Sequence, residues 1–125
     1  MIFGIGTDIV QISRMQESLE KHGERFAKRI LSSSEFLEFE KVVNQGAFLA
    51  KRFAAKEAAV KALGTGFRDG ISMKHISVGH DPIGKPVLEF SDAAKKIAID
   101  SGVASMHLSI ADEKKYAVAF VVLER

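Results

Sequence analysis

Cysteine is absent from the 125 residues, which excludes disulfides and cysteine-ligated metals. No run of about 18 apolar residues occurs, so no membrane span is expected. The opening Met1-Ile2-Phe3-Gly4 has neither the basic region nor the apolar stretch of a secretory signal. These absences favour the cytoplasm. A large excess of either charge is missing too. The formal net charge of +2 is too small to demand nucleic acid as a partner. Aromatic residues are few, at 8%, and basic residues are interleaved with acids, which again argues against nucleic acid. There is no internal repeat, low-complexity tract or linker. With 46% hydrophobic and 27% charged residues the composition is that of an ordinary soluble globular protein. Residues 1–125 are expected to form a single domain, small enough to gain from oligomerisation.

What is there begins with an alternating segment at residues 2–10. It reads as a strand with Phe3, Ile5, Thr7 and Ile9 on one face and Gly4, Gly6, Asp8 and Val10 on the other. The two glycines clear space on the side of Asp8, where a helix backbone or a ligand can come close. Ile12, Met15, Leu19, Phe26 and Ile30 recur at helical spacing, which predicts an amphipathic helix over about 13–30, bent near Gly23. Ser32 to Glu35 offers an N-cap for a short helix ending near Val43, and Asn44-Gln45-Gly46 breaks it. A third helix is predicted from about Ala47 to Leu63, with Leu49, Phe53, Val60 and Leu63 as its apolar stripe. Residues 71–79 and 87–90 read as strands around the turn Asp81 to Pro86. A helix capped by Ser91-Asp92 stops at Gly102. Two last strands, about 104–110 and 116–123, flank a polar turn. Both faces of the final strand are apolar, which predicts burial on both sides. The order β-α-α-α-β-β-α-β-β favours an α+β fold, an antiparallel sheet packed against a long helix.

The third helix carries one carboxylate, Glu57, among Lys51, Arg52, Lys56 and Lys61. On a helical wheel Glu57 lies at the edge of the apolar stripe, one turn after Phe53, with Lys61 one turn further on. Two readings stand. Glu57 and Lys61 form an i,i+4 surface pair on a solvated basic face; or Glu57 meets Asp8 on a divalent cation while the bases hold phosphate. Asp8 alone reads either as a helix cap or lysine partner, or as the second ligand. Mg²⁺ takes only one or two protein carboxylates and fills its shell with water and phosphate oxygens, so two separated acids beside a basic helix suit it. Gly4-Ile5-Gly6 is not a dinucleotide fingerprint, because the third glycine is missing. No Gly-x-Ser-x-Gly elbow exists. His107 and Ser109 share one strand face, opposite Met106, Leu108 and Ile110; that face is either the solvent side or a phosphate contact. His22, His75 and His80 lack any metal spacing and read as surface residues. On the first long helix Arg14, Met15, Lys21 and Arg25 form either an ordinary charged face or a docking ridge for an acidic protein.

Taken together, Gly4 to Val10 and Arg52 to Gly64 resemble the two signatures of the holo-[acyl-carrier-protein] synthases, small 4′-phosphopantetheinyl transferases. Gly84-Lys85-Pro86 and His107 to Ile110 fall at the expected places, so the resemblance spans essentially the whole chain. It implies Asp8 and Glu57 as Mg²⁺ ligands, and Arg52, Lys61, Gly64, Pro86 and His107 as the lining of a coenzyme A site. It also implies a homotrimer with active sites between subunits, and an acidic acyl-carrier protein held by the first helix. The family usually has Ser or Thr at the position of Ala111 and often His at that of Asp112; no role is assigned to either. The reaction so implied moves phosphopantetheine from coenzyme A to a carrier serine, in fatty acid biosynthesis. In it Lys61 neutralises the leaving side, and Glu57, or a water that it orients, takes the serine proton. Two rival readings are a Mg²⁺-dependent nucleotide hydrolase and a basic adaptor for an acidic protein.

Overall fold

The computed structural model describes residues 1–125. Along the chain run β1 (Ile2–Gln11), α1 (Ile12–His22), α2 (Glu24–Ile30), α3 (Ser33–Phe39), α4 (Gln45–Leu63), β2 (Ile76–His80), β3 (Pro86–Phe90), α5 (Asp92–Asp100), β4 (Ser105–Asp112) and β5 (Tyr116–Glu124). The fold is α+β. An antiparallel sheet of order β1-β5-β4 carries α4 on one face, and β2-β3 form a separate antiparallel hairpin.

Small side chains set how closely α4 lies on the sheet. Ala50, Ala54, Ala55, Ala58 and Ala59 of α4 and Ala117 and Ala119 of β5 are fully buried. A Cβ at Gly4 would stand 1.9 Å from the Ala62 carbonyl oxygen, and one at Gly6 would stand 2.0 Å from that of Ala58. Neither glycine can be larger without moving the helix. The Asn44 side chain accepts from the Ala47 amide at 3.0 Å, so it caps α4. Gly64, at φ 82°, ends it in the left-handed conformation. Gln45 and Gly46 therefore belong to the first turn of α4 rather than to a break before it.

Four further expectations are corrected. The predicted 13–30 helix is two helices, because Gly23 adopts φ 63° and ψ −148° between them. The end of the short helix predicted after Ser32 also moves: α3 stops at Phe39, well short of Val43. The predicted strand at 71–79 starts only at Ile76, after a 3₁₀ turn at Met73–His75. Finally, β5 is buried on one side within the chain. Ala117, Ala119, Val121 and Leu123 face α4, whereas Tyr116 and Phe120 are 40% and 45% exposed. No element covers that outer face, which Ile5 and Ile9 of β1 extend at 60% and 62% exposure.

Candidate functional site

Position along α4 decides which of its charges meet water. The helix is buried nearly all round, and Phe53, Glu57 and Lys61 form the line that opens to solvent. The helical wheel predicts Glu57 and Lys61 on this line but counts Phe53 in the apolar stripe, of which Leu49, Val60 and Leu63 are buried and Phe53 is only half-buried. Of the bases that could form a solvated face, Lys61 is exposed and Lys51 half-buried, but the other two are not in water. Lys56 is fully buried and Arg52 is 4% exposed. Both converge on Glu35 of α3, itself fully buried. Lys56 Nζ donates to Glu35 Oε1 at 2.6 Å and to the carbonyls of Ile30 and Met73. Arg52 donates to Glu35 Oε2 at 3.2 Å, to the Val78 carbonyl at 2.7 Å and to Glu38 at 3.0 Å. Burial pushes the Lys56 amine below its ordinary value, against the opposing pull of Glu35. Lys56 thus binds α4 to α2, α3 and the 3₁₀ turn, and it has no donor left for a phosphate.

Across the glycine-cleared face of β1, Lys61 reaches Asp8 Oδ1 at 3.1 Å and the Thr7 carbonyl at 3.0 Å. Asp8 and Glu57 line one cavity of about 460 Å³. Its other wall is α1, with Arg14 and Met15, together with Phe26 and Phe53. Burial, and then the neighbouring charge of Asp8, raise the Glu57 carboxyl above its ordinary value, with Lys61 opposing them. Two acids that feel one another with a single lysine between them leave room for more positive charge. No cluster of three or more potential ligands exists in the chain. A divalent ion that relies on water and phosphate for the rest of its shell fits this donor set, whereas an all-protein cage does not.

The remaining predicted residues lie elsewhere. Arg52 and Pro86 line a second cavity, of about 330 Å³, with Lys51, His80, Glu38 and Asp112. Gly64 caps the C-terminus of α4. His107 stands on the outer sheet face, its Nε2 2.6 Å from Glu124 Oε1. Lys21 is exposed in the last turn of α1, and Arg25 lies in a shallow depression with Lys28, Arg29 and Lys74. One chain therefore brings Asp8, Glu57, Lys61, Arg14 and Met15 together and keeps Arg52, Pro86 and His107 apart from them. Sequence reasoning missed Glu35 and Glu124. The Ser-x-x-Glu spacing at Ser32 and Glu35 does carry a capping-box signal, and the box is formed. Nothing local announces the two buried cations that the same carboxylate binds.

Residues 4–121 match the family model described as the 4′-phosphopantetheinyl transferase superfamily. A holo-[acyl-carrier-protein] synthase from Halorhodospira halophila is 55% identical over 123 residues, covering 98% of each chain. One from Nitrosospira multiformis is 50% identical over 125 residues, covering 100% of each. Among solved structures, the holo-[acyl-carrier-protein] synthase from Neisseria meningitidis superposes with a TM-score of 0.94 at 46% identity, covering 100% of each chain. The Helicobacter pylori holo-[acyl-carrier-protein] synthase, solved in complex with coenzyme A, gives a TM-score of 0.84 at 30% identity over 96% of this chain and 99% of that one.

Proposed function

The chain belongs to the 4′-phosphopantetheinyl transferase superfamily and is an enzyme of the holo-[acyl-carrier-protein] synthase family; from that premise we propose the following reaction and division of labour. The enzyme transfers 4′-phosphopantetheine from coenzyme A to a serine of an apo-acyl-carrier protein, within fatty acid biosynthesis in the cytoplasm. The serine oxygen bonds to the β-phosphorus, the bond from that phosphorus to the bridging oxygen breaks, and adenosine 3′,5′-bisphosphate leaves. Asp8 and Glu57 hold Mg²⁺, which supplies positive charge to the diphosphate oxygens when bound. Lys61, already beside Asp8, turns its ammonium to the leaving side. Glu57, or a water that it orients, takes the serine proton. Phe26 and Phe53 line one side of the cavity.

The observation that carries this reading is the shared cavity. Two carboxylates from separate elements face it, and so do Arg14 and Met15 of α1. That arrangement lets a partner docked on α1 present a hydroxyl directly to the acids. An acidic carrier protein suits the exposed bases Arg14, Lys21 and Arg25, with Met15 as apolar anchor. Arg52, Lys61, Gly64, Pro86 and His107 hold coenzyme A. Because one chain does not gather them, a neighbouring subunit completes the set in a homotrimer, whose contact uses the uncovered sheet face.

The test is the intact mass of a purified apo-carrier after incubation with the protein, coenzyme A and Mg²⁺. The expected result is a gain of one phosphopantetheine, lost in Glu57→Gln. Release of phosphopantetheine from coenzyme A without any carrier would instead identify a hydrolase.

A further inference from the structure

His107 does not stand alone on the outer sheet face. Ser105 of β4 lies directly across from Glu124 of β5, and His107 lies across from Val122. The Glu124 side chain therefore reaches His107 along a cross-strand diagonal. Its Oε1 accepts from His107 Nε2 at 2.6 Å and from Ser105 Oγ at 3.3 Å. We propose that Glu124 is a positioning residue that holds the His107 imidazole by Nε2 and so turns Nδ1 toward a phosphate of coenzyme A. The proposal rests on the reading that places His107 in the coenzyme A site.

An ionised carboxylate can only accept, so the proton in this bond belongs to Nε2. Nδ1 is then the nitrogen left for a ligand. With a phosphate oxygen on that side the ring donates from both nitrogens, and its positive charge is shared between carboxylate and phosphate. The hydrogen bonds from His107 and then Ser105 hold the Glu124 carboxyl below its ordinary value, which keeps it ionised. The N-terminal ammonium also acts on Glu124, from the start of β1 that pairs with it, whereas Arg125 is engaged differently. Arg125 donates to the Ser101 carbonyl at 3.1 Å and stacks on Phe3 at 4.9 Å. The plain alternative is a surface pair of little consequence, since the two side chains are 52% and 40% exposed. The short bond, the second donor on the same oxygen and the position on the uncovered face favour the positioning role.

The test compares wild type with Glu124→Gln and His107→Ala. Two measurements are made near neutral pH: the ¹⁵N signature of the His107 ring in the complex with coenzyme A, and steady-state kinetics. In the wild-type complex both ring nitrogens carry protons. In Glu124→Gln the ring is neutral, and KM for coenzyme A rises roughly five- to ten-fold, the difference between a charge-assisted and a neutral hydrogen bond. The fall in kcat is much smaller than the rise in KM. An unchanged ring signature or an unchanged KM in Glu124→Gln overturns the proposal. If His107→Ala raises KM while Glu124→Gln does not, the coenzyme A reading stands and this proposal alone fails. If His107→Ala leaves KM unchanged, His107 is not in the site, and both fail at that point.

Discussion

Lys56 keeps its ammonium wholly out of water, held by one carboxylate and two carbonyls. Removing this ammonium leaves the buried Glu35 with one cation instead of two and strips the Ile30 and Met73 carbonyls of their donor. Lys56→Met is therefore expected to lose about 3–5 kcal/mol of stability, measured by urea unfolding. It leaves Glu35 to Arg52 and to backbone donors alone. Glu57 behaves oppositely. Its folded carboxyl is raised above the ordinary 4.5, so the folded state holds that proton more tightly than the unfolded chain does. The stabilisation is complete below the ordinary carboxylate range and is lost as pH rises through the raised value. Without ligands, Glu57→Gln should melt higher than wild type at neutral pH, and the gain should vanish below the ordinary carboxylate range. Thermal melts at the two pH values decide it. Added Mg²⁺ should raise the wild-type melt and leave the variant unmoved. The two residues also mark how far side-chain roles were legible in the sequence. Glu57 was placed by local periodicity alone. For Lys56 the sequence leaves a solvated face and a phosphate contact open, and the structure shows neither, because its partner Glu35 lies 21 residues away and a helical wheel contains no neighbours.

Between elements, the decisive contact is the one where β1 lies against α4. The strand, its glycines and its acid are legible because alternation over the nine residues 2–10 leaves one arrangement. The physical meaning of the glycines follows from the contact itself. A methyl group at Gly6 would meet a carbonyl oxygen at 2.0 Å, and backbone cannot give way as a side chain can. Gly6→Ala should therefore push α4 off β1, separate Asp8 from Glu57 and lower both stability and transfer activity. A variant with wild-type melting and turnover would contradict the close packing. The break at Gly23 was legible only as a bend, since a wheel does not report φ. It separates Arg25 from Arg14 and gives each its own surface: Arg14 lines the cavity of the two acids, whereas Arg25 joins Lys28, Arg29 and Lys74. Arg25→Glu is expected to raise KM for the carrier several-fold and to leave KM for coenzyme A unchanged. Kinetics with each substrate varied in turn check it. An equal rise in both would place Arg25 in the coenzyme A site instead.

For the whole molecule, the doubly apolar pattern of β5 is the most instructive disagreement. The pattern predicts two covered faces, and one chain covers one. Alternation reports which residues avoid water, but not whether the covering surface comes from the same chain. Ile5, Ile9, Tyr116 and Phe120 together leave an apolar sheet face in solvent, which marks an interaction surface. A closed symmetric assembly disposes of such a face without leaving another one open. Phe120 lies between Thr7 of β1 and Ser109 of β4 in the sheet register, so it stands at the middle of that face. Phe120→Asp would place a charge there without disturbing the α4 side, where Ala119 and Val121 make the core. The variant is expected to keep its far-ultraviolet circular dichroism, run as a monomer by light scattering and lose transfer. A folded monomer with full activity would mean that one chain already holds a complete site. A trimer that persists would move the contact to another surface. Loss of assembly together with loss of transfer ties both to the same face, because Asp8 and Glu57 lie on its opposite side, unaltered by the change.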